Sequence, residues 1–332
     1  MASHIVTASG TGAERGTQLG EQLAEQLQVA WNRWVVHFSR NDQDADDLAQ
    51  RLAEVGGWET AERYCPDLVA ELESMAEAAN MPWYQMAGLS MLDESWALTG
   101  GMGCTAIAIT REDSRAAGQN MDLPDWTDSL QTVLNIRDSS GLGVVAATYP
   151  GCLATMGMNS NGVVVVVNAL DLHLNLTGMP VDFVTRGALH QPTAQDAIDF
   201  IREIPHAVGQ NYTVLDSKDL FMVEADASEV IDVPLHPLVS AHTNHAFTRE
   251  YTGSEGSYAR MAAVEDHRDE ILTAADIKRT LLNKDSGVCF TTGRWREDMY
   301  SFMSLVGDAN SKQVWVNSAP AKGGSYEEIP FL

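Results

Sequence analysis

Apolar positions along the chain follow two rhythms that change near residue 100. Before that point they recur every three to four residues. Leu19, Leu23 and Leu27, continued by Trp34 and Val35, predict an amphipathic helix over about 15–38. Asp42, Asp44, Asp46 and Asp47 gather where a second helix would start, the end at which the helix dipole favours negative charge. Pro66 suits the first turn of a third helix, with Leu68, Val69, Leu72, Met75 and Ala76 as its apolar face. After Gly103 the pattern is that of strands. Thr105 to Thr110, a polar turn, and Arg115 to Met121 read as a hairpin. Further strands are expected at Thr132 to Ile136, Val144 to Tyr149, Leu153 to Met158, Val163 to Val167, Tyr212 to Leu215, Leu220 to Glu224, Met299 to Val306 and Val314 to Val316. Two helices interrupt them, each announced by a Thr-x-x-Asp capping box at Thr193 and Thr273. The stretches Leu170 to Pro180 and His245 to Tyr258 read as loops near a site. The whole predicts layered α and β structure with largely antiparallel sheets.

Composition narrows the function more than the fold. A chain of 332 residues allows one large or two ordinary domains, and 45% apolar with 20% charged residues is the balance of a packed protein. The formal net charge of −25 argues against a non-specific nucleic-acid binder, which needs a basic footprint, and against docking on anionic lipid. The N-terminal MASHIVTASGTGAERG has no basic segment followed by an apolar stretch, and the longest aliphatic run is Val163 to Val167. Neither a signal peptide nor a membrane span is expected. Cys65, Cys104, Cys152 and Cys289 lack CxxC spacing and read as free thiols in a reducing compartment, so a cytoplasmic location is expected. No glycine-rich phosphate loop follows a strand.

The chemistry points to Gly101-Met102-Gly103-Cys104-Thr105, where a cysteine lies between a glycine-rich turn and the first strand of the hairpin. Gly103 would let a thiol approach its own carbonyl with no Cβ in the way. A lone Gly-Cys is more often a small buried residue at a strand start. Asp122, in Gly118-Gln-Asn-Met-Asp122, would return along the hairpin to lie beside Cys104. It could orient an amine or an arginine there, or simply cap the turn before Leu123-Pro124.

Gly103-Cys104-Thr105 followed by Gly118-Gln119-Asn120-Met121-Asp122 resembles the cysteine N-terminal-nucleophile hydrolases. The closest resemblance is to the acyl-coenzyme A:6-aminopenicillanic-acid acyltransferase (isopenicillin N acyltransferase) group, with choloylglycine hydrolases more distant. Glu14-Arg15-Gly16 with Gln18-Leu19-Gly20 resembles the family's opening segment, Gly157-Met-Asn159-Ser-Asn-Gly162 continuing to Asn168-Ala-Leu170 its central hairpin, His242-Thr243-Asn244-His245 its later Asn motif and Ser257-Tyr-Ala-Arg260 the Ser-x-x-Arg step that follows. The resemblance implies an α+β, four-layer αββα sandwich with a helical N-terminal segment. It also implies self-cleavage before Cys104, giving an α chain of 1–103 and a β chain of 104–332, both from one precursor. Cys104 would then be the nucleophile and its freed α-amino group the base. Asp122, Asn244 and Asn168 are the further catalytic candidates, the two amides as oxyanion donors; a turn after a strand is the other reading of Asn168. Thr105, Trp126 and His245 are the substrate-binding candidates.

His242 and His245 lack a third ligand, so no metal is expected, and no cofactor. Gln119 stands where choloylglycine hydrolases carry an arginine, which moves the reading away from bile-salt chemistry. Arg294 and Arg296 lie near the place of a family C-terminal arginine but read as surface or acid-paired residues. Trp83, Trp96, Trp126 and Trp295 could line a pocket, with burial in the core as the default. The expected activity is hydrolysis of a small N-acylated amine or amino acid through a Cys104 thioester. A coenzyme A-dependent N-acyltransferase using a coenzyme A thioester is the alternative, and a non-catalytic binding protein the remote one. The partner is then a small-molecule amide, and a homo-oligomer is left open.

Overall fold

The structure, a computed structural model, describes residues 4–40, 44–99, 103–250, 253–294, 296 and 298–332. Asp42, Gly101, Met102 and Trp295, singled out from the sequence, lie outside the described residues. The chain opens with β1 (His4–Gly10), then six helices: α1 (Gly12–Arg40), α2 (Ala45–Ala53), α3 (Gly57–Tyr64), α4 (Pro66–Ala78), α5 (Trp83–Ser90) and α6 (Leu92–Thr99). Six strands follow: β2 (Gly103–Arg111), β3 (Ser114–Pro124), β4 (Thr132–Asp138), β5 (Gly143–Thr148), β6 (Met156–Asn159) and β7 (Val164–Ala169). After α7 (Val181–Leu189) and α8 (Ala194–Glu203) come β8 (Gln210–Leu215), β9 (Leu220–Ala225), β10 (Val230–Asp232) and β11 (Val239–His242). The chain ends with α9 (Glu255–Asp266), α10 (Ala274–Leu281), β12 (Met299–Asp308), β13 (Gln313–Asn317) and β14 (Glu327–Glu328).

Two sheets result, one ordered β1-β4-β5-β6-β7-β8-β9-β10 and the other β11-β2-β3-β12-β13-β14. Every pairing is antiparallel except that of β1 with β4. The sheets face each other through β2, β3 and β12 on one side and β5 to β8 on the other. α7 and α8 cover the outer face of the first sheet, and α9 and α10 that of the second. This is the four-layer αββα sandwich. Among the described residues no helix is long and apolar enough to cross a membrane.

Local rules set most elements. Asp44 caps α2 by accepting the Asp47 N–H, and Pro66 sits in the first turn of α4. Thr193 accepts the Asp196 N–H, and Thr273 with Asp276 closes a full capping box. Three departures have physical reasons. Residues 4–10 form an edge strand rather than helix, because a seven-residue segment with only Val6 and Ala8 buried gains its regular partner from β4, far along the chain. α7 is nine residues long and buried on every side, Asp182, Thr185 and Arg186 included, so its polar residues mark no solvent face. α9 starts at Glu255 under a Ser254 cap, inside the stretch expected to be loop, because its buried face includes polar Ser257 and Arg260.

The first 99 residues are tied to the rest by a buried ion network. Gly12, Gly16 and Gly20 lie on the face of α1 that meets α4; a methyl at Gly16 would stand 2.1 Å from the Glu71 carbonyl oxygen. This close approach lets Arg15 donate to Glu71 (2.6 Å), Asp67 (2.8 Å) and the Gly10 carbonyl (2.6 Å). Arg186 of α7 reaches the other oxygen of Glu71 (3.1 Å) and the Leu153 carbonyl (3.0 Å). Arg15, Glu71 and Arg186 are wholly buried. One carboxylate therefore holds two guanidiniums, one from each side of position 103.

Removing that carboxylate strands both cations. Glu71→Ala is expected to cost about 3–5 kcal/mol of unfolding free energy, read by chemical denaturation, whereas a surface change such as Asp47→Ala should cost under about 1 kcal/mol.

Candidate active site

Strand alternation decides where each residue of the hairpin points. Ala106 and Ala108 of β2 join the core between the sheets, while Ile107 and Ile109 join the separate core beneath α9 and α10. Cys104 therefore faces the opposite sheet, and Gly103 and Thr105 face the helices. The Cys104 sulfur is buried, and the Ala169 backbone N–H at the end of β7 favours its thiolate form. Burial, then the charges of Asp122 and Asp93, push this thiol up to about 12, against the opposing pull of Arg260 and the Ala169 N–H. In the continuous chain it is a neutral thiol at physiological pH.

Around the Gly103–Cys104 peptide, Arg260 of α9 organises the polar groups. Its Nη1 donates to the Cys104 carbonyl oxygen and to Thr105 Oγ1 (2.8 Å), its Nη2 to Asn244 Oδ1 (2.8 Å), and its Nε to the Gly256 carbonyl (3.1 Å). Asn244 Oδ1 also accepts the Cys104 backbone N–H at 2.8 Å. Two donors on Oδ1 fix the orientation of the amide, so Nδ2 turns to the Ala169 carbonyl at 3.0 Å and keeps a second hydrogen with no acceptor among the described residues. The Asn244 N–H is held by Ser257 Oγ (2.8 Å), which also meets Thr243 Oγ1 (3.0 Å) and His245 Nδ1 (2.9 Å).

Asp122 pairs across the hairpin with Gly103, on the helix-facing side, not on the side of the sulfur. A Cβ at Gly103 would stand 3.1 Å from Asp122 Oδ2 and 3.7 Å from Arg260 Nη2. The carboxyl is wholly buried; Oδ1 accepts from Ser301 Oγ at 2.6 Å, and among the described residues Oδ2 has no hydrogen-bond partner, with Arg260 Nη1 at 3.7 Å. A register shift in β12 between Ser301 and Met303 aims that hydroxyl. Burial raises Asp122 to about 6, with Arg260 and Ser301 pulling it back down.

Thr105 spends its hydroxyl on Arg260. Asn168 is wholly buried, donates to the His242 carbonyl (3.3 Å) and accepts from Asn211 (2.9 Å); its neighbour Ala169 supplies the N–H that favours the Cys104 thiolate. His245 stacks on Tyr258 (centroids 4.3 Å apart), and burial lowers it to about 4, so it is a neutral ring that holds Ser257. Both ring nitrogens of His242 face acceptors, the Thr243 carbonyl (2.7 Å) and Glu224 (2.9 Å). Among the described residues no His, Cys, Asp and Glu cluster could hold a metal ion.

Trp126 lies apart, against His37 of α1 in a surface groove lined by Arg33, Arg40 and Asp125 and by none of the residues around Cys104. Gln119 bridges the sheets, accepting the Val167 N–H at 2.7 Å. Trp83 packs on Trp58, and Trp96 is buried in the core. Arg296 pairs with Asp298 near the surface, and Arg294 with backbone carbonyls. The site's arginine is Arg260, whose only sequence signal was the Ser257-Tyr-Ala-Arg260 step. Ser301 and the Ala169 N–H carried none.

The family model described as acyl-coenzyme A:6-aminopenicillanic acid acyl-transferase matches residues 109–318. Among solved structures, penicillin V acylase from Agrobacterium tumefaciens is similar at 12% identity over 68% of this chain and 85% of its own, with a TM-score of 0.45. A variant of conjugated bile acid hydrolase from Clostridium perfringens is similar at 11% identity over 68% and 92%, with a TM-score of 0.47.

All four cysteines are buried, and burial raises each thiol. The continuous chain, kept folded at pH 8, is expected to show no fast-reacting thiol to Ellman's reagent. A rapid equivalent assigned to Cys104 by mass spectrometry would contradict the neutral, enclosed sulfur described above.

Proposed function

Because this chain belongs to the acyl-coenzyme A:6-aminopenicillanic acid acyl-transferase family, and so to the N-terminal-nucleophile enzymes that act on amides, we propose that it is a self-processing cysteine amidohydrolase of small N-acylated amines or amino acids. One observation carries the reading. Cys104 stands second in β2, with a buried sulfur whose thiolate the Ala169 N–H favours, an amide oxygen on its own N–H, and beside the preceding residue a carboxyl oxygen without a partner among the described residues.

Processing starts from the neutral thiol. The Cys104 sulfur attacks the Gly103 carbonyl carbon; the C–N bond breaks and the thiol proton passes to the departing nitrogen. Water then cleaves the thioester, leaving a Gly103 carboxylate, the Cys104 thiol and a free α-amino group. The new amine replaces one amide hydrogen by two or three. Asn244 Oδ1 already holds one of them, and the vacant lone pairs of Asp122 Oδ2 suit another. An α-amine has an unperturbed pKa of about 7.7–8.0, so it serves as a base near neutrality.

In turnover the amine takes the thiol proton and the thiolate attacks the substrate carbonyl carbon. The spare hydrogen on Asn244 Nδ2 and the Ala169 N–H meet the developing oxyanion; one such donor is worth roughly 2.7–4 kcal/mol of barrier. The ammonium returns its proton to the leaving amine as the C–N bond breaks. Water, deprotonated by the same amine, releases the acid and regenerates the thiol. If an amine takes the place of water at this last step the same thioester gives acyl transfer, so assays with and without a coenzyme A thioester and an acceptor amine separate the two outcomes.

Purified protein is expected to run as two bands of about 11 and 25 kDa, taking about 110 Da per residue. The larger piece should begin at Cys104 on Edman sequencing. Cys104→Ala should stay as one band with no turnover; retained cleavage would point to another nucleophile. Asn244→Ala is expected to lower turnover by about 100-fold or more with little change in melting temperature. Equal losses of stability and rate would make Asn244 a structural residue only.

A further inference from the structure

A second polar cluster close to the nucleophile plays no part in the chemistry above. Asp93 and Glu94 stand in the first turn of α6, and Asp182 in the first turn of α7. Each acid is fixed through one oxygen. Gln210 donates to Asp93 at 2.8 Å, the Val181 N–H to Glu94 Oε1 at 2.9 Å, and Ser90 Oγ and the Leu153 N–H to Asp182 Oδ2 at 2.6 and 3.2 Å. The other oxygens of the two sealed acids, Glu94 Oε2 and Asp182 Oδ1, are buried and unpartnered. An independent group faces the same place. Tyr212 stands two residues along β8 from Gln210, on the same face, and its wholly buried hydroxyl has no hydrogen-bond partner among the described residues.

Leaving buried polar atoms without partners is costly, so three of them in one neighbourhood point to a binding function rather than a stabilising one. All three can accept hydrogen bonds, and two belong to acids. A ligand that satisfies them brings several N–H donors and a positive charge, and a primary ammonium offers three donors. An anion would be repelled. Asp93, at the edge of the cluster, is partly exposed. The cluster adjoins the nucleophile: Gln210, which binds Asp93, is the strand partner of Ala169, whose N–H favours the Cys104 thiolate, and the Asp93 charge acts on that sulfur.

We propose that Glu94, Asp182 and the Tyr212 hydroxyl, entered past Asp93, form a subsite for a primary ammonium group on the substrate. This rests on the amide-cleaving reading for the word substrate, and it selects amides that carry a charged amine over neutral ones. Burial raises Asp93 to about 7, Asp182 to about 6 and Glu94 well above its ordinary range. Cation affinity therefore grows as pH rises and these groups ionise. The other ionisable groups there, Tyr149, Cys152 and Tyr212, are pushed upward and stay neutral over that range.

The subsite can be read without turnover by calorimetry on the full Cys104→Ala chain, using n-pentylammonium and n-pentanol as probes. The ammonium is expected to bind at least tenfold more tightly than the alcohol, and more tightly at pH 8 than at pH 5. Tyr212→Phe deletes a hydroxyl that bonds to nothing, so it should keep or raise the melting temperature while weakening the ammonium several-fold. Equal binding of the two probes, or indifference of the ammonium to Tyr212→Phe, overturns the proposal. Turnover answers the other question. Selective ammonium binding without cleavage of any ammonium-bearing amide by the wild-type protein would leave the subsite standing and sink the amidohydrolase reading. Cleavage of neutral and ammonium-bearing amides at equal rates would sink the subsite and spare the enzyme.

Discussion

One buried guanidinium holds the candidate site together. Arg260 has no solvent to spread its charge into, so every contact it makes is obligatory: the carbonyl of Cys104, the hydroxyl of Thr105, the amide oxygen of Asn244 and, at longer range, Asp122. A planar fork can satisfy these only in one orientation. That orientation fixes which way the Asn244 amide faces, and so which of its atoms meets Cys104 and which faces β7. Its planarity and multiple donors, more than its charge alone, set the geometry at the Gly103–Cys104 peptide.

The same economy runs through the hairpin. Strand alternation sends the Cys104 sulfur to the inter-sheet face and Thr105 to the helix face, so nucleophile and arginine anchor occupy adjacent residues without competing for space. Asp122 shares the face of Gly103, which places its carboxyl beside that residue and on the opposite face from the sulfur. Acid and thiol thus flank one peptide from opposite faces of a sheet. Nearby, the Asp93, Glu94 and Asp182 carboxyls show a different use of burial, in which unsatisfied acceptors are kept against their own solvation.

How much of this was legible depended on how local the cause was. The capping boxes at Thr193 and Thr273, Pro66 opening α4 and the β2–β3 hairpin all follow from neighbours in sequence, and their positions could be read directly. β1 could not, because its hydrogen-bond partner lies more than a hundred residues away. α7 and α9 were hidden for opposite reasons, one buried on all sides and the other burying an arginine and a serine where apolar residues would mark a helix. In the site, Cys104, Asp122 and Asn244 stood in readable motifs. Ala169 acts through its backbone, which no residue type announces, and Ser301 is aimed by an irregularity in β12. Trp126 shows the converse. An aromatic close in sequence to the hairpin was carried away by the short turn after β3 to pack on α1.

The order in which these parts leave the ribosome has its own meaning. Cys104 is made early, yet the groups gathered on its peptide come from residues 169, 244, 260 and 301, spread over nearly the whole remaining chain. The sulfur and the Gly103 carbonyl are neighbours from the moment of synthesis but lack their surroundings until the last long strand has docked. Any reaction at that bond is thereby clocked by completion of the fold, so that an unfinished or misassembled molecule stays inert without a separate inhibitor to restrain it.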